Sequence, residues 1–182
     1  DTYTATQLTY NAADSIIDIS AIDNDVLTVT ATDDVTATGT VTNVETVNFN
    51  LNASGTPAGT TTVFNVAADN IAKSTINLAV TKAVTTVTAA SITALATDVT
   101  VATALNTLTA ASAANSDNII NLTSTAASAL THNGTGDNLT INASGNLTVA
   151  DGNNEEALVI IGAGTVTVTD LTPIAKTANT TN

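Results

Sequence analysis

The stretch Thr46-Val47-Asn48-Phe49-Asn50-Leu51 alternates between polar and apolar residues without a break. Successive side chains of an extended chain point to opposite faces, so this pattern would bury Val47, Phe49 and Leu51 on one side only. Thr and Val are β-branched, and β-branched residues favour extended backbone. The stretch therefore predicts a half-buried β-strand.

The same period of two recurs on both sides of this stretch. It is found at residues 26–32, 75–80, 98–102, 138–142, 146–149 and 165–169. Short clusters of Asn, Asp, Gly and Ser separate the runs, and these residues favour turns because they tolerate left-handed backbone or hydrogen-bond to their own main chain. The sequence predicts an all-β protein.

Two β architectures fit these runs. The tripeptide Asn-Leu-Thr begins at Asn121, Asn138 and Asn146, and residues 76–78 come close to it. Stacked turns of a solenoid align equivalent side chains as ladders, so we expect a β-solenoid, an irregular parallel β-helix, in which these asparagines stack. An antiparallel β-sandwich is the alternative, because strand-like runs that recur every ~7–12 residues suit both architectures.

The amino-acid composition predicts a thin core. The 182 residues include two Phe and two Tyr, but no Trp, Met or Cys. A ball-shaped domain would bury several aromatic side chains of ~150–250 Å² each, whereas the stacked aliphatic layers of a solenoid remove that need. The Ala-rich stretch 83–129 has some helix propensity, but its interleaved Thr and Val favour strands joined by small-residue corners.

The whole chain is interpreted as one unit. We expect residues 1–182 to form a single β-rich segment of a larger surface protein, with a soft boundary near residues 54–59. No apolar run approaches the ~20 residues that a membrane-spanning helix needs, so membrane insertion is not expected.

The charge balance excludes some partners and favours others. Sixteen acidic residues face three basic ones, giving a formal net charge of −13. Such a polyanion gains nothing from phosphate counterion release, so no nucleic-acid partner is expected.

The sequence offers few groups for catalysis. His132 is the sole histidine, and there is no Cys nucleophile. We expect no enzyme activity, no catalytic residue, and a solvent-exposed structural role for His132 beside a turn.

Clustered acidic and amide side chains indicate calcium instead, because calcium takes about six to eight hard oxygen ligands. The first cluster is Asp23-Asn24-Asp25, which other carboxylates could join if neighbouring strands pair. Two further clusters lie around Asp151 and around Asp137. The alternative is that these residues only form turns and are solvated. The predicted ligands are Asp14, Asp18, Asp23, Asn24, Asp25, Asp33, Asp34, Asp137, Asp151 and Asn153.

The phrase Gly39-Thr40-Val41-Thr42-Asn43-Val44-Glu45-Thr46-Val47-Asn48-Phe49 carries a family resemblance. It resembles the phrase (Gly/Asn)-Val-Glu-Thr-Val-Asn of type I-secreted Gram-negative S-layer proteins and large RTX-type adhesins, whose Thr/Ala/Asn/Val bias and lack of Cys are also similar. The resemblance implies solenoid repeats, calcium-dependent folding, lattice assembly and attachment to the outer surface through another domain. Within it, Glu45 would join a calcium site or a lattice contact if it faces outward. Residues 133–141 are similar to a decayed RTX calcium nonapeptide, although Asn133 replaces its first Gly.

Together these observations predict a structural component of a self-assembling bacterial surface layer, an S-layer, stabilised by calcium. We expect it to be secreted and to lie at the cell surface. Its expected partners are other copies of itself and other domains of the same protein. The alternative is an adhesin or fibre module that recognises glycans or a host surface, for which Tyr3 and Tyr10 are the only tyrosines available.

Overall fold

A computed structural model describes residues 1–20, 22–52, 63–80, 87–96, 98–112, 116–134, 138–151, 157–162, 164–170 and 178–181. Regular structure in these residues consists of β-strands, with no helix. The strands are β1 (Thr2–Thr6), β2 (Ser15–Ile17), β3 (Val26–Ala31), β4 (Thr40–Thr42), β5 (Thr46–Leu51), β6 (Val63–Ala67), β7 (Thr75–Val80), β8 (Ala89–Leu95), β9 (Val99–Thr103), β10 (Thr107–Ser112), β11 (Asp117–Leu122), β12 (Ser128–Asn133), β13 (Asn138–Ala143), β14 (Leu147–Asp151), β15 (Ala157–Gly162), β16 (Val166–Asp170) and β17 (Ala178–Thr181).

The strands coil as a β-solenoid. The odd-numbered strands β1 to β17 form one nine-stranded sheet in chain order, and the even-numbered strands β6 to β16 form a facing six-stranded sheet. A separate pair joins β2 and β4. The strand pairings of the described residues are all parallel. This confirms the predicted β-solenoid and excludes the antiparallel sandwich.

The core is the thin aliphatic layer that the composition predicts. In β5, Val47, Phe49 and Leu51 are fully buried, as their alternation with polar residues predicts. Phe49 stacks in register between Val29 of β3 and Leu78 of β7. The layer is thin because each short strand sends only every second side chain inward.

Asparagine ladders exist on the outer face, but the predicted alignment of the Asn-Leu-Thr tripeptides is wrong. Asn121 is in register with Asn142, and Asn142 Nδ2 donates to Asn121 Oδ1 at 2.7 Å. Asn138 is instead in register with Asp117, and Asn146 leads into β14 of the facing sheet. Ladder partners such as Asn121 and Asn142 are 21 residues apart, a separation that the spacing of the tripeptides does not match.

The described part of the Ala-rich stretch consists of strands and the short turns between them. Strands β8 to β12 cover most of residues 89–133, which confirms strands over helices there. The soft boundary near residues 54–59 lies outside the described residues. Across the described part of the chain, no helix is long and apolar enough to cross a membrane.

Candidate metal centre

A row of acidic residues marks the start of the nine-stranded sheet. The main-chain carbonyls of Asp1, Asp25 and Glu45 each accept a hydrogen bond from the first amide of the strand on the next turn, at 3.0, 3.1 and 2.8 Å. The three residues therefore occupy equivalent positions on consecutive turns. Ser74 takes this position on the following turn, with its carbonyl 3.0 Å from the amide of Thr100. The row is acidic only in the first turns of the solenoid.

Asp25 is the centre of this row. It is fully buried, its Oδ1 accepts a hydrogen bond from the N-terminal ammonium of Asp1, and its main-chain amide donates to Glu45 Oε2 at 2.8 Å. Its Oδ2 is buried without a hydrogen-bond partner among the described residues. The hydrogen bond to Asp25, against an opposing effect of burial and aided by the charges of Asp25, Asp23 and Asp18, raises the pKa of the ammonium above its usual value.

Four more carboxylates converge on Asp25. One triad comprises Asp1, Asp18 and Asp25, and a second comprises Asp23, Asp25 and Glu45. Within each triad, one oxygen of each residue lies within 4.8 Å of the others. The two triads together contain five carboxylates, and the N-terminal ammonium is hydrogen-bonded to Asp25 of this set. Carboxylates this close repel one another, and a further cation would relieve that repulsion.

The turns that carry these side chains are held by local hydrogen bonds. Asp18 follows β2, where its amide donates to the carbonyl of Thr42 at 3.1 Å and its Oδ2 accepts from the amide of Ser20 at 2.5 Å. Asn43 Nδ2 donates to the carbonyl of Asp18 at 3.1 Å. Asn43 has a φ of 54°, a left-handed conformation that favours Gly and Asn. Asn43 therefore forms a turn that leads into Glu45.

The structure brings some of the predicted ligands together and separates others. Asp18, Asp23 and Asp25 converge, with the exposed Asn24 between the last two. Asp14 precedes β2, and its Oδ2 accepts a hydrogen bond from the amide of Asn11 at 2.8 Å. Its carboxylate is therefore part of a local turn and not of either triad.

Asp33 and Asp34 lie beyond the opposite end of β3 from Asp25. The six residues of that strand span about 20 Å. Asp34 accepts hydrogen bonds there from the amide and Nδ2 of Asn65, at 3.0 and 2.9 Å. Asp33 and Asp34 therefore lie at the other end of the strands, away from both triads.

The remaining predicted ligands fall on less described parts of the chain. Asp151 ends β14, where its backbone is in register with His132 and Asp170, and its side chain lies outside the described part of the structure. Asp137 and Asn153 also lie outside the described residues. Glu45 is not among the ligands predicted from the acidic clusters, although the family resemblance offered it a calcium site or a lattice contact. Its closeness to Asp25 depends on how the turns stack.

The prediction of a solvent-exposed His132 is wrong. His132 is fully buried, and its Nε2 lies 2.9 Å from Ser112 Oγ. Asn118 Nδ2 donates to Ser112 Oγ at 3.0 Å and to Ser116 Oγ at 2.9 Å. The alternation of β12 places Ser128, Leu130 and His132 on the inner face, although the histidine lies near the end of the strand. The side chain belongs to a hydrogen-bonded polar network in the core.

A shallow concavity of about 350 Å³ lies at the start of strands β9, β11 and β13. Asn138 Nδ2 donates to Asp117 Oδ1 at 2.7 Å on its wall. The other groups around it are Asp98, Val99, Thr100, Asn118, Ile119 and Thr140. This mixture of carboxylates, amides and hydroxyls offers hydrogen-bonding groups to a polar ligand.

No family model, curated protein or solved structure matches the chain. The S-layer resemblance of residues 39–49 therefore stays a prediction.

Proposed function

We propose that the chain is a structural segment of a self-assembling bacterial cell-surface layer, secreted and stabilised by calcium. The observation that carries this proposal is the outer face of the nine-stranded sheet. Parallel strands in register repeat every ~4.8 Å, so the face presents equivalent side chains in rows. A regular, wide surface suits association between copies, which requires a large contact area.

Two rows of this face are rich in polar residues. The first contains Thr46, Thr75, Thr100 and Thr140, with Ile119 between the last two. Polar side chains of the row are half-buried. Short hydroxyl-bearing side chains lose little rotamer freedom on association, so their contribution to contacts between copies costs little entropy.

The second row is an asparagine ladder. Asn77 Nδ2 donates to Asn48 Oδ1 at 2.7 Å, and Asn142 Nδ2 donates to Asn121 Oδ1 at the same distance. Ala102 separates the two pairs. Because these hydrogen bonds hold the amides in place, the row is ordered before any second copy arrives, and such preorganisation favours binding.

The charge of the chain explains why association would need calcium. Its formal net charge of −13 makes two copies repel each other. Calcium bound to carboxylates of each copy reduces this repulsion. The polar rows and the acidic loops thus have complementary roles in a calcium-dependent layer.

The proposal is tested by following assembly of the purified chain with light scattering and electron microscopy. We expect extended, ordered assemblies when calcium is added and their dispersal when it is chelated. Replacing Asn77 with Lys should prevent assembly because it adds a long charged side chain to the outer face, whereas Asn133→Lys, at an exposed position of the facing sheet, should not. A chain that stays monomeric at high concentration with calcium would contradict the proposal.

The concavity beside Asp117 favours a second candidate function, a glycan-binding adhesin module. Its amide, hydroxyl and carboxylate groups are those that hydrogen-bond sugar hydroxyls. A glycan array read with the chain and with Asn138→Leu separates the two functions. Specific binding that the substitution abolishes, without calcium-driven assembly, would favour the adhesin over the surface layer.

A further inference from the structure

We propose that Asp25, Asp23 and Glu45, with Asp18 beside them, form a calcium site that ties the first turns of the solenoid together. This inference deepens the proposed function and rests on it in that both invoke calcium. The position of the site follows from the geometry of the carboxylates, and its test is separate from assembly.

The buried Oδ2 of Asp25 is the first argument. A buried carboxylate oxygen without a partner is strongly unfavourable, and native structures rarely retain one. The ammonium of Asp1 satisfies Oδ1 of the same carboxylate and leaves Oδ2 unpaired. Asp25 also belongs to both carboxylate triads, so its carboxylate lies among like charges. A bound cation would supply the missing partner.

The spacing of the oxygens is the second argument. Two oxygens bound to one calcium ion at about 2.3–2.6 Å lie at most about 5 Å apart. The ligand oxygens of Asp23, Asp25 and Glu45 all lie within 4.8 Å of one another. They fit around one ion without a change of the backbone.

The chemistry of the ligands identifies the ion class. The two triads consist of Asp and Glu residues, whose ligand atoms are carboxylate oxygens, and neither triad includes a histidine. Hard oxygen donors of this kind suit calcium or magnesium and not the softer transition metals. Asp23 is exposed, which leaves room for water in the remaining coordination positions. An irregular set with solvent access suits calcium better than magnesium, which demands near-octahedral geometry.

The site would fix the loop that precedes Asp25 to the next turn of the solenoid. Glu45 is 20 residues from Asp25, one turn farther along the solenoid. The loop before Asp25 buries few apolar side chains, since Ile19 is 99 % and Ile22 is 96 % exposed. Turns of a solenoid contact only their neighbours, so ligation across two turns stabilises this end directly. Without calcium, mutual repulsion of the carboxylates would weaken the contact between Asp25 and Glu45.

The test is calcium titration of the 182-residue chain by calorimetry, paired with thermal unfolding followed by circular dichroism. Glu45→Gln preserves an oxygen that can accept the amide hydrogen bond of Asp25 but removes a charge. We expect this variant and Asp23→Asn to weaken calcium binding at this site at least about tenfold. Their melting temperatures without calcium should equal or exceed that of the parent chain, because repulsion is reduced. A purely structural role for Glu45 would lower the melting temperature with or without calcium.

Asp33→Asn is the matched control, since Asp33 lies beyond the far end of β3. It should leave this binding event unchanged. Equal calcium affinity in all four proteins, or an equal loss in the control, would overturn the site. Calcium binding that depends on Glu45 without any assembly would preserve the site and contradict the surface layer. If Glu45→Gln leaves both the calcium affinity and calcium-driven assembly unchanged, the surface layer is supported and the site is contradicted.

Discussion

Ile119 and Ile120 are adjacent and identical in the sequence, yet they lie on opposite faces of β11. Ile120 is fully buried and in register with Val101 and Ile141, whereas Ile119 is 40 % exposed. Replacing each with Ala is therefore a matched pair of perturbations. The chemical change is the same, and only the face of the sheet differs.

The structure sets the expected size of each effect. Ile→Ala removes three carbon atoms, about 2.4 kcal/mol of transfer free energy at about 0.8 kcal/mol each. At Ile120 the residual cavity adds to this, because Val101 and Ile141 are held by the strand ladder, so we expect a loss of about 3–4 kcal/mol. At Ile119 the loss should be about 1 kcal/mol or less, since the side chain is partly solvated already.

The assay is urea unfolding of the parent chain and both variants, followed by far-UV circular dichroism. In a chain of this length, a loss of about 3 kcal/mol corresponds to a melting temperature lower by about 6–12 °C. Tyrosine fluorescence adds a local probe, because Tyr3 and Tyr10 lie in the first turn, far from β11. Since solenoid turns contact only neighbours, the circular dichroism of Ile120→Ala should change before the fluorescence does.

Equal losses at the two positions would contradict the assignment of Ile120 to the inner face and Ile119 to the outer face, and a larger loss at Ile119 would contradict it more strongly. A shift of one residue in the register of β11 exchanges its inner and outer faces. A larger loss at Ile119 would therefore mean that β11 is shifted by one residue, with Ile119 inside and Ile120 outside. The free energies of unfolding thus test the stacking of the turns directly.

Three further changes have expected outcomes. Gly39→Ala should cost about 1–3 kcal/mol in urea unfolding, because its Cβ would lie 2.5 Å from the main-chain oxygen of Asp14. Tyr10→Phe should cost about 1–2 kcal/mol, since its hydroxyl donates to the carbonyl of Gly39 at 2.8 Å. Burial raises the pKa of Tyr10 above its usual 10.0, so the folded chain retains this proton more tightly than the unfolded chain does. Stability should therefore fall above about pH 10, by up to about 1.4 kcal/mol per pH unit from this group, and less steeply in Tyr10→Phe. Asn77→Ala should cost only about 0.5–1 kcal/mol, because its 2.7 Å hydrogen bond to Asn48 lies on a half-exposed face, and an equal loss in high salt would confirm that it is not an ion pair.

Some of the fold could be predicted because burial within a strand follows residue type. The alternation of residues 46–51 assigned Val47, Phe49 and Leu51 to the core correctly. The pair Ile119-Ile120 breaks such alternation, so its pattern alone does not say which side chain is inside. The prediction for His132 is wrong because its position in the alternation of β12, and not its nearness to a turn, decides which face it occupies.

The candidate site was predictable in part for a related reason. Asp23 and Asp25 share one turn, so their closeness follows from the chain itself. Glu45 contacts Asp25 only because consecutive turns stack with those positions aligned. The same stacking moves Asp33 and Asp34 away from them, since both follow β3 while Asp25 precedes it.

That the chain forms strands, that its core is aliphatic and thin, and that its charge is strongly negative all follow from the order of its residues. These properties depend on residue types and on a period of two, which are local. Which residues of different turns become neighbours follows from the folded solenoid alone. Val26 and Thr46 are paired partners 20 residues apart, whereas Thr46 and Thr75 are 29 apart. Because the turns differ in length, core packing and not a fixed repeat sets the register, and with it the position of the buried Asp25 carboxylate.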